Sequence, residues 1–387
     1  MHYFGVSRGS KISLCLLITL FISSIIMPLW ALLFLLASSV IFSKGEYRVA
    51  FTLPLIFVSA IYNSGVDING DLSNYQYLYY NLDRNNIASE FGSEPTILYI
   101  FKLFGFFELE FESALIFQSI FFNLFIALSL WLSLGGLGLV FFALITIFPP
   151  YIQMSLYLYR QSVSIVFFIV VLFSQRKFIR ITFAILSILS HSASIFYVVV
   201  CLMKNYLLRL FDYRIIIFIF VMALLFPLNN ETIMNVVSSF KQTSSVLDRK
   251  INFFLRSDEL SSSFSLYSSI LIPLHITFLS VIYLTYKDRK FKPDIVIFSF
   301  VILYFVLLFT RNFSLLPTRL SMLIIMLSPV FMGNIYIQYK DKFLKYLLIA
   351  YVAFCCISFI RFNYINDVGS NNISFYKRTV LDKYIFR

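Results

Sequence analysis

Apolar runs of several helical turns each, parted by short polar breaks, repeat along the whole chain. They fall at roughly 11–27, 29–43, 48–63, 111–132, 137–149, 157–174, 178–190, 192–204, 213–228, 265–286, 294–310, 319–338 and 343–360. Several approach the roughly 20 residues that carry a helix across a bilayer. Backbone groups in hydrocarbon need partners within their own segment or in a closed barrel, and these runs are apolar on all sides rather than alternating. The pattern predicts an all-α, polytopic integral membrane protein with about 11–14 transmembrane helices. The run at 11–27 has no small-residue cleavage site and reads as a retained helix.

Two segments break the rhythm. "PTILYIFKLFGFF", residues 95–107, is apolar but short and holds Lys102, so it is read as lying in the interface. In "DLSNYQYLYYNL", residues 71–82, Leu72, Tyr75, Tyr79 and Leu82 follow the i, i+3, i+7 spacing of one helix face. Such a helix suits the membrane surface, with tyrosines at headgroup depth, and the same rings suit stacking on sugars.

Composition sharpens the class. Of 387 residues 60% are hydrophobic and 13% charged, against roughly 45–50% and 25% in soluble domains. A net charge of +12 would fit nucleic acid if it were gathered in one patch. It is instead spread as small clusters between apolar runs, which excludes nucleic acid as a partner and marks topology. The clusters are Arg176/Lys177/Arg180, Lys204/Arg209/Arg214, Lys287/Arg289/Lys290/Lys292 and Lys340/Lys342/Lys345. Short basic loops face the cytoplasm. All four do so only if the chain reverses near His191, in a helical hairpin rather than one span across 178–203. The hairpin puts His191, residues 64–110, the turn "PPYIQMSLYLYR", the loop 229–264 and the tail 361–387 on the outer side. The expected organisation is one membrane domain over 1–387, with outer loops at 64–110 and 229–264, the first carrying interfacial helices.

The four cysteines, Cys15, Cys201, Cys355 and Cys356, lie inside apolar runs without metal-ligand spacing and read as packing residues. "GGLG" at 135–138 follows no strand and reads as a turn. No nucleophile elbow, zinc spacing, phosphate loop or dinucleotide fingerprint is present. No metal and no cofactor is expected.

Candidate chemistry sits on the outer side. Asp67, Asn69 and Asp71 imitate the opening of a calcium loop, but the glycine stands fourth instead of sixth and Leu78 replaces the closing glutamate. Arg160 opens the helix "RQSVSIVFFIVVLF", and Arg319 opens "RLSMLIIMLSPVF"; Arg311 lies between them and the same surface. Guanidinium groups give a permanently charged donor fork suited to diphosphate. His191, between serines at the hairpin tip, is a titratable group at a membrane boundary.

The ordered series Gly65-Val66-Asp67, Asp71-Leu72-Ser73-Asn74-Tyr75, Glu94-Pro95, Arg160-Gln161, His191-Ser192 and Arg319 resembles the EpsG/Wzy-type polysaccharide polymerases of bacterial inner membranes. It covers about residues 50–340. This chain interposes "INGD" where the family has one aspartate, and lacks the arginine common just before the glycine. The resemblance implies a GT-C-like helical bundle in the inner (cytoplasmic) membrane with its active site facing the periplasm. It implies a glycosyltransferase that polymerises undecaprenyl-diphosphate-linked repeat units into O-antigen or a related surface glycan, in lipopolysaccharide biosynthesis. Implied partners are those lipid-linked glycans, membrane lipids and a chain-length regulator protein. Asp67 or Asp71 is then the base, with His191 as rival; Arg160 and Arg319 clamp diphosphate; Tyr75, Tyr79, Gln161, Arg311 and Glu94 bind substrate. The alternative is a flippase or transporter of lipid-linked oligosaccharide, which would also need many spans and a basic cavity. Against it, the sequence shows no internal repeat, and its candidate groups gather at one face.

Overall fold

The computed structural model describes residues 27–43, 45–64, 71–82, 95–148, 151, 159–226 apart from 175, 192–193 and 208–210, and 271–365 apart from 289–290, 292, 312–314 and 340. The expected span at 11–27, Asp67, Glu94, the loop 229–264 and the tail beyond 365 lie outside the described residues.

Among the described residues there are fourteen helices and no strand. In chain order they are α1 (Leu29–Phe42), α2 (Glu46–Ser64), α3 (Asp71–Tyr80), α4 (Pro95–Phe106), α5 (Phe111–Leu134), α6 (Gly136–Thr146), α7 (Tyr159–Phe173) and α8 (Lys177–Ser190). Then follow α9 (Ile195–Leu207), α10 (Tyr213–Leu225), α11 (Ile272–Lys287), α12 (Ile295–Phe309), α13 (Leu315–Tyr339) and α14 (Lys342–Ile365). Each apolar run within these residues became a helix, and the surface segment at 71–82 became α3. The start of α13 bears on a candidate residue: the helix begins at Leu315, so Arg319 stands in its second turn instead of opening it.

Two helices form the centre. α12 is buried at eleven of its fifteen residues, and α6 from Gly138 to Thr146 apart from half-buried Val140, so both are largely wrapped by protein. α5 and α14 lie outside and are long and apolar enough to cross a membrane. Phe117, Phe121, Leu128 and Leu132 of α5 and Tyr346, Ile349 and Ile357 of α14 are exposed, a surface matched to hydrocarbon rather than water.

Glycines set the closest approaches. Gly135, at φ +60, makes the tight turn between α5 and α6, and a side chain there would be strained. A Cβ on Gly138 would lie 2.0 Å from the Leu130 carbonyl oxygen, and one on Gly333 would lie 2.1 Å from the Phe141 ring. Gly138→Ala is therefore expected to lower the thermal unfolding midpoint in detergent, at an overpacking cost of about 1–3 kcal/mol. Gly105→Ala, where a Cβ meets nothing within 4 Å, is its control and should leave the midpoint unchanged.

Contacts between helix ends define two poles. Asp294 caps α12 by accepting from Ile297 N (2.8 Å), and also accepts from the side-chain amides of Asn334 and of Gln338 (2.7 Å) near the end of α13. Lys287, ending α11, pairs with Asp341 in the α13–α14 turn. Tyr213, opening α10, meets the Tyr286 ring at 5.8 Å. A cavity of about 800 Å³ joins Asp294, Asn334 and Gln338 to Arg180 of α8, Cys201 of α9 and the ends of α5 and α7. Every basic cluster of the topology argument that has a described side chain is thus at this pole. The Lys287 hydrogen bond holds the Asp341 carboxyl at about 2. The pairing is therefore present above the ordinary carboxylate range and lost only as pH falls through about 2.

The cavity also settles the fold near His191. Arg180 and Cys201 line it together, whereas a continuous helix would hold residues 21 apart about 31 Å from each other. The chain reverses at His191, the residue that caps the end of α8.

Candidate functional site at the opposite pole

α7 and α8 form an antiparallel pair whose register is fixed by two serines. The Ser164 and Ser187 hydroxyls lie 3.0 Å apart, and Ser187 Oγ donates to the Ser164 carbonyl at 2.9 Å. Arg160 stands four residues before Ser164, and His191 four residues after Ser187. Residues four apart share a helix face, so the guanidinium and the imidazole sit about one turn, roughly 6 Å along the axis, beyond the same clamp. Both are at the pole opposite Arg180.

Arg160 is held from the surface helix. Its Nε donates to Tyr75 Oη at 3.0 Å, and its guanidinium carbon lies 5.9 Å from the centroid of that ring. Tyr75 is fixed because α3 buries one face: Leu72, Tyr75, Leu78 and Tyr79 pack with Ile97 and Phe101 of α4, Phe111, Ala114 and Leu115 of α5, and Val163 of α7. The i, i+3, i+7 face read from the sequence is this one. It points into protein, with Tyr75 and Tyr79 only 4% and 7% exposed. The rings that α3 leaves open are Tyr77 and Tyr80.

Tyr79 contributes through its hydroxyl, which donates to the Leu109 carbonyl at 2.6 Å and ties α3 to the chain entering α5. Burial, with Tyr80 alongside, pushes its phenol above the ordinary value, so it stays a neutral donor. Tyr80 Oη accepts from Phe111 N at 3.3 Å, a second tie at the same point.

His191 is 8% exposed, and its carbonyl accepts from both Ser194 N (2.9 Å) and Ser194 Oγ (2.8 Å), which shapes the reversal into α9. Gln161, beside Arg160, is buried. Arg311 follows α12 and donates from Nη2 to the Leu224 carbonyl at 2.5 Å. It thereby satisfies an end carbonyl of α10 and sets a cation at that helix's negative terminus. Arg319 lies on α13 19 residues before Gln338, about 28 Å along the axis from the basic pole. Asp71 is the first residue of α3. Of the residues singled out from sequence, Tyr75, Tyr79, Arg160, Gln161, His191 and Arg311 are at this pole with described side chains, and Asp71 and Arg319 are placed by their backbone. Asp67 and Glu94 lie outside the described residues. Among the described residues no group of three or more His, Cys, Asp or Glu could hold a metal ion.

Sequence reading missed a buried polar set one layer further in. Tyr151 donates to Asn123 Oδ1, and Asn123 Nδ2 donates to the Ile56 carbonyl at 3.4 Å. Polar residues inside an apolar run were the available signal, since such residues rarely face lipid.

The site thus offers a fixed cation, a titratable group on the neighbouring helix and open tyrosine rings above them, suited to an anionic ligand that carries polar, ring-shaped groups. The family described as EpsG matches residues 46–377 of the chain. No curated protein and no solved structure matches it.

Proposed function

This chain belongs to the EpsG family, and from that premise we propose that it is a polytopic membrane polymerase joining undecaprenyl-diphosphate-linked oligosaccharide units into a surface polysaccharide. The observation that best supports this reading is the Ser164–Ser187 register, which brings Arg160 and His191 to one level at the pole away from the basic loops. Basic loops face the cytoplasm, so this pole faces the periplasm of a bacterial inner membrane. The surface glycan is O-antigen or a relative, and a chain-length regulator is a natural partner.

In the reaction a sugar hydroxyl of one lipid-linked unit attacks the anomeric carbon of the growing chain. The new C–O glycosidic bond forms as the bond to diphosphate breaks, and the diphosphate leaves with the bonding electrons. The hydroxyl proton passes to Asp67, Asp71 or His191. Arg160, with Arg319, meets the charge that grows on the departing diphosphate, where a preorganised donor has most effect. Tyr75 acts as a positioning residue for Arg160, and Tyr77 and Tyr80 offer the open rings for sugar stacking. GT-C-like architecture follows from the same family reading.

Deleting the gene and resolving the surface glycan by gel tests this against the transport alternative. Polymerase loss leaves single units on the outer surface and no ladder, restored by the wild-type gene. Absence of any exported unit would instead make the protein a transporter of lipid-linked oligosaccharide, and an unchanged ladder would end both readings.

A further inference from the structure

The cavity at the basic pole takes no part in the reaction at the other end, and its lining joins two kinds of surface. Leu132, Leu134, Val170 and Phe173 give it apolar walls, while Arg180 and Asp294 bring a cation and an anion to the same space. Its volume of about 800 Å³ falls within the roughly 300–1,000 Å³ of ligand sites.

Both charges keep bonding capacity. Arg180 Nη2 donates to the Ser174 carbonyl at 2.7 Å, but its Nε is buried without a partner. The Asp294 carboxylate accepts from Ile297 N and from the amides of Asn334 and Gln338. All three donors are uncharged, so its negative charge stands and a lone-pair position is left over. Among the described residues Arg180 and Asp294 form no ion pair, with each other or with a further side chain. Charges held out of water without a countercharge are costly, and a buried donor left over marks a water or a ligand.

The way in is from the membrane. Leu132 is 75% exposed and stands one turn beyond exposed Leu128 on the outward face of α5. The apolar walls therefore continue the lipid-matched surface, and the two charges lie where that helix ends, at headgroup depth. Basic pockets between helices on the cytoplasmic side suit lipid headgroups. A purely anionic headgroup would set its charge near the Asp294 carboxylate, and a soluble anion would leave the apolar walls unmet. We propose that the cavity binds an aminophospholipid of the cytoplasmic leaflet, with its phosphodiester on Arg180, its primary ammonium on Asp294 and its chains along the apolar walls. The seated lipid ties the α8–α9 hairpin, which carries His191 at its far end, to α12 and α13. This inference rests on the membrane reading and not on glycosyl transfer, so its readout is lipid retention rather than polymer.

The test offers an equimolar mixture of phosphatidylethanolamine, phosphatidylglycerol and phosphatidylcholine to delipidated full-length protein in detergent, and reads the retained lipid by native mass spectrometry. Phosphatidylglycerol lacks the ammonium, and phosphatidylcholine lacks its N–H donors. Phosphatidylethanolamine should be retained about tenfold over either, the worth of one hydrogen bond to a charged group, and should raise the thermal midpoint. Excess inorganic phosphate or glycerophosphoethanolamine should not displace it. Equal retention of either competitor lipid would overturn the proposal. Displacement by glycerophosphoethanolamine would make the ligand a soluble one, and retention of no lipid would leave a water-filled cavity; each would overturn it too.

Arg180→Gln should lose the preference, and Arg176→Gln, at an exposed neighbour outside the lining, should keep it. If Arg180→Gln does not fold, the wild-type comparison decides. A protein that leaves the membrane in a carbonate wash without detergent would end the membrane reading itself; one that stays and shows no lipid preference fails only this proposal.

Discussion

Replacing Arg160 with alanine is expected to abolish the polymer ladder while single units still reach the surface. Losing one preorganised donor to a developing negative charge costs about 10²–10³ in rate, enough to empty a ladder built from many successive additions. The size of the effect follows from how the guanidinium is held. Its Nε is committed to Tyr75 Oη, and Tyr75 is locked by the packing of α3 on α4, α5 and α7. Arg160→Lys keeps the charge but loses the fork and the Tyr75 bond, so it should recover only part of the activity.

Tyr75→Phe should shorten the ladder by an intermediate amount. Added to Arg160→Ala it should change nothing further, because its contribution passes through the arginine. A merely structural tyrosine would add its own loss to the double variant. Quantified ladder lengths for the four proteins decide the matter, and a normal ladder in Arg160→Ala would remove this residue from the reaction.

The second large effect concerns stability and the other pole. Asp294→Leu should prevent recovery of folded protein, or lower its midpoint by far more than any surface change. The carboxylate caps α12 and accepts from both Asn334 and Gln338 of α13. Loss of a cap costs about 0.5–2 kcal/mol, and each hydrogen bond to a charged group contributes about 1.5–3 kcal/mol. The mostly buried Asn334 would also keep a donor with nothing to meet. Asp294→Asn retains capping ability and should fall between the two. Size-exclusion profiles and thermal midpoints in one detergent measure the series, and a wild-type midpoint for Asp294→Leu would contradict the role given to this junction.

Helix positions were legible because the apolar runs are long and their breaks polar, so composition and periodicity agree. The reversal at His191 was legible from charge alone, since only that arrangement puts all basic clusters on one side. The start of α13 was not, because Pro317 resembles a break yet is tolerated in a first helical turn, where its missing N–H has no intrahelical partner to lose. The direction of Tyr75 and Tyr79 was equally hidden. Their spacing fixed a face, but what the face meets is supplied by Phe101 and Phe111, tens of residues further on. The Ser164–Ser187 clamp escaped for the same reason: a lone polar residue in an apolar run gives no sign of which distant helix it will meet.

The burial of α6 bears on how the protein is made. Its 11 residues reach about 17 Å, little more than half of a hydrocarbon layer of about 30 Å. Lipid cannot serve as its permanent surroundings. The slot that receives Phe141 is Gly333 on α13, which leaves the ribosome almost two hundred residues later. The amino-terminal half must therefore enter the membrane with its future centre still uncovered, and biogenesis ends only when the carboxy-terminal helices close over it.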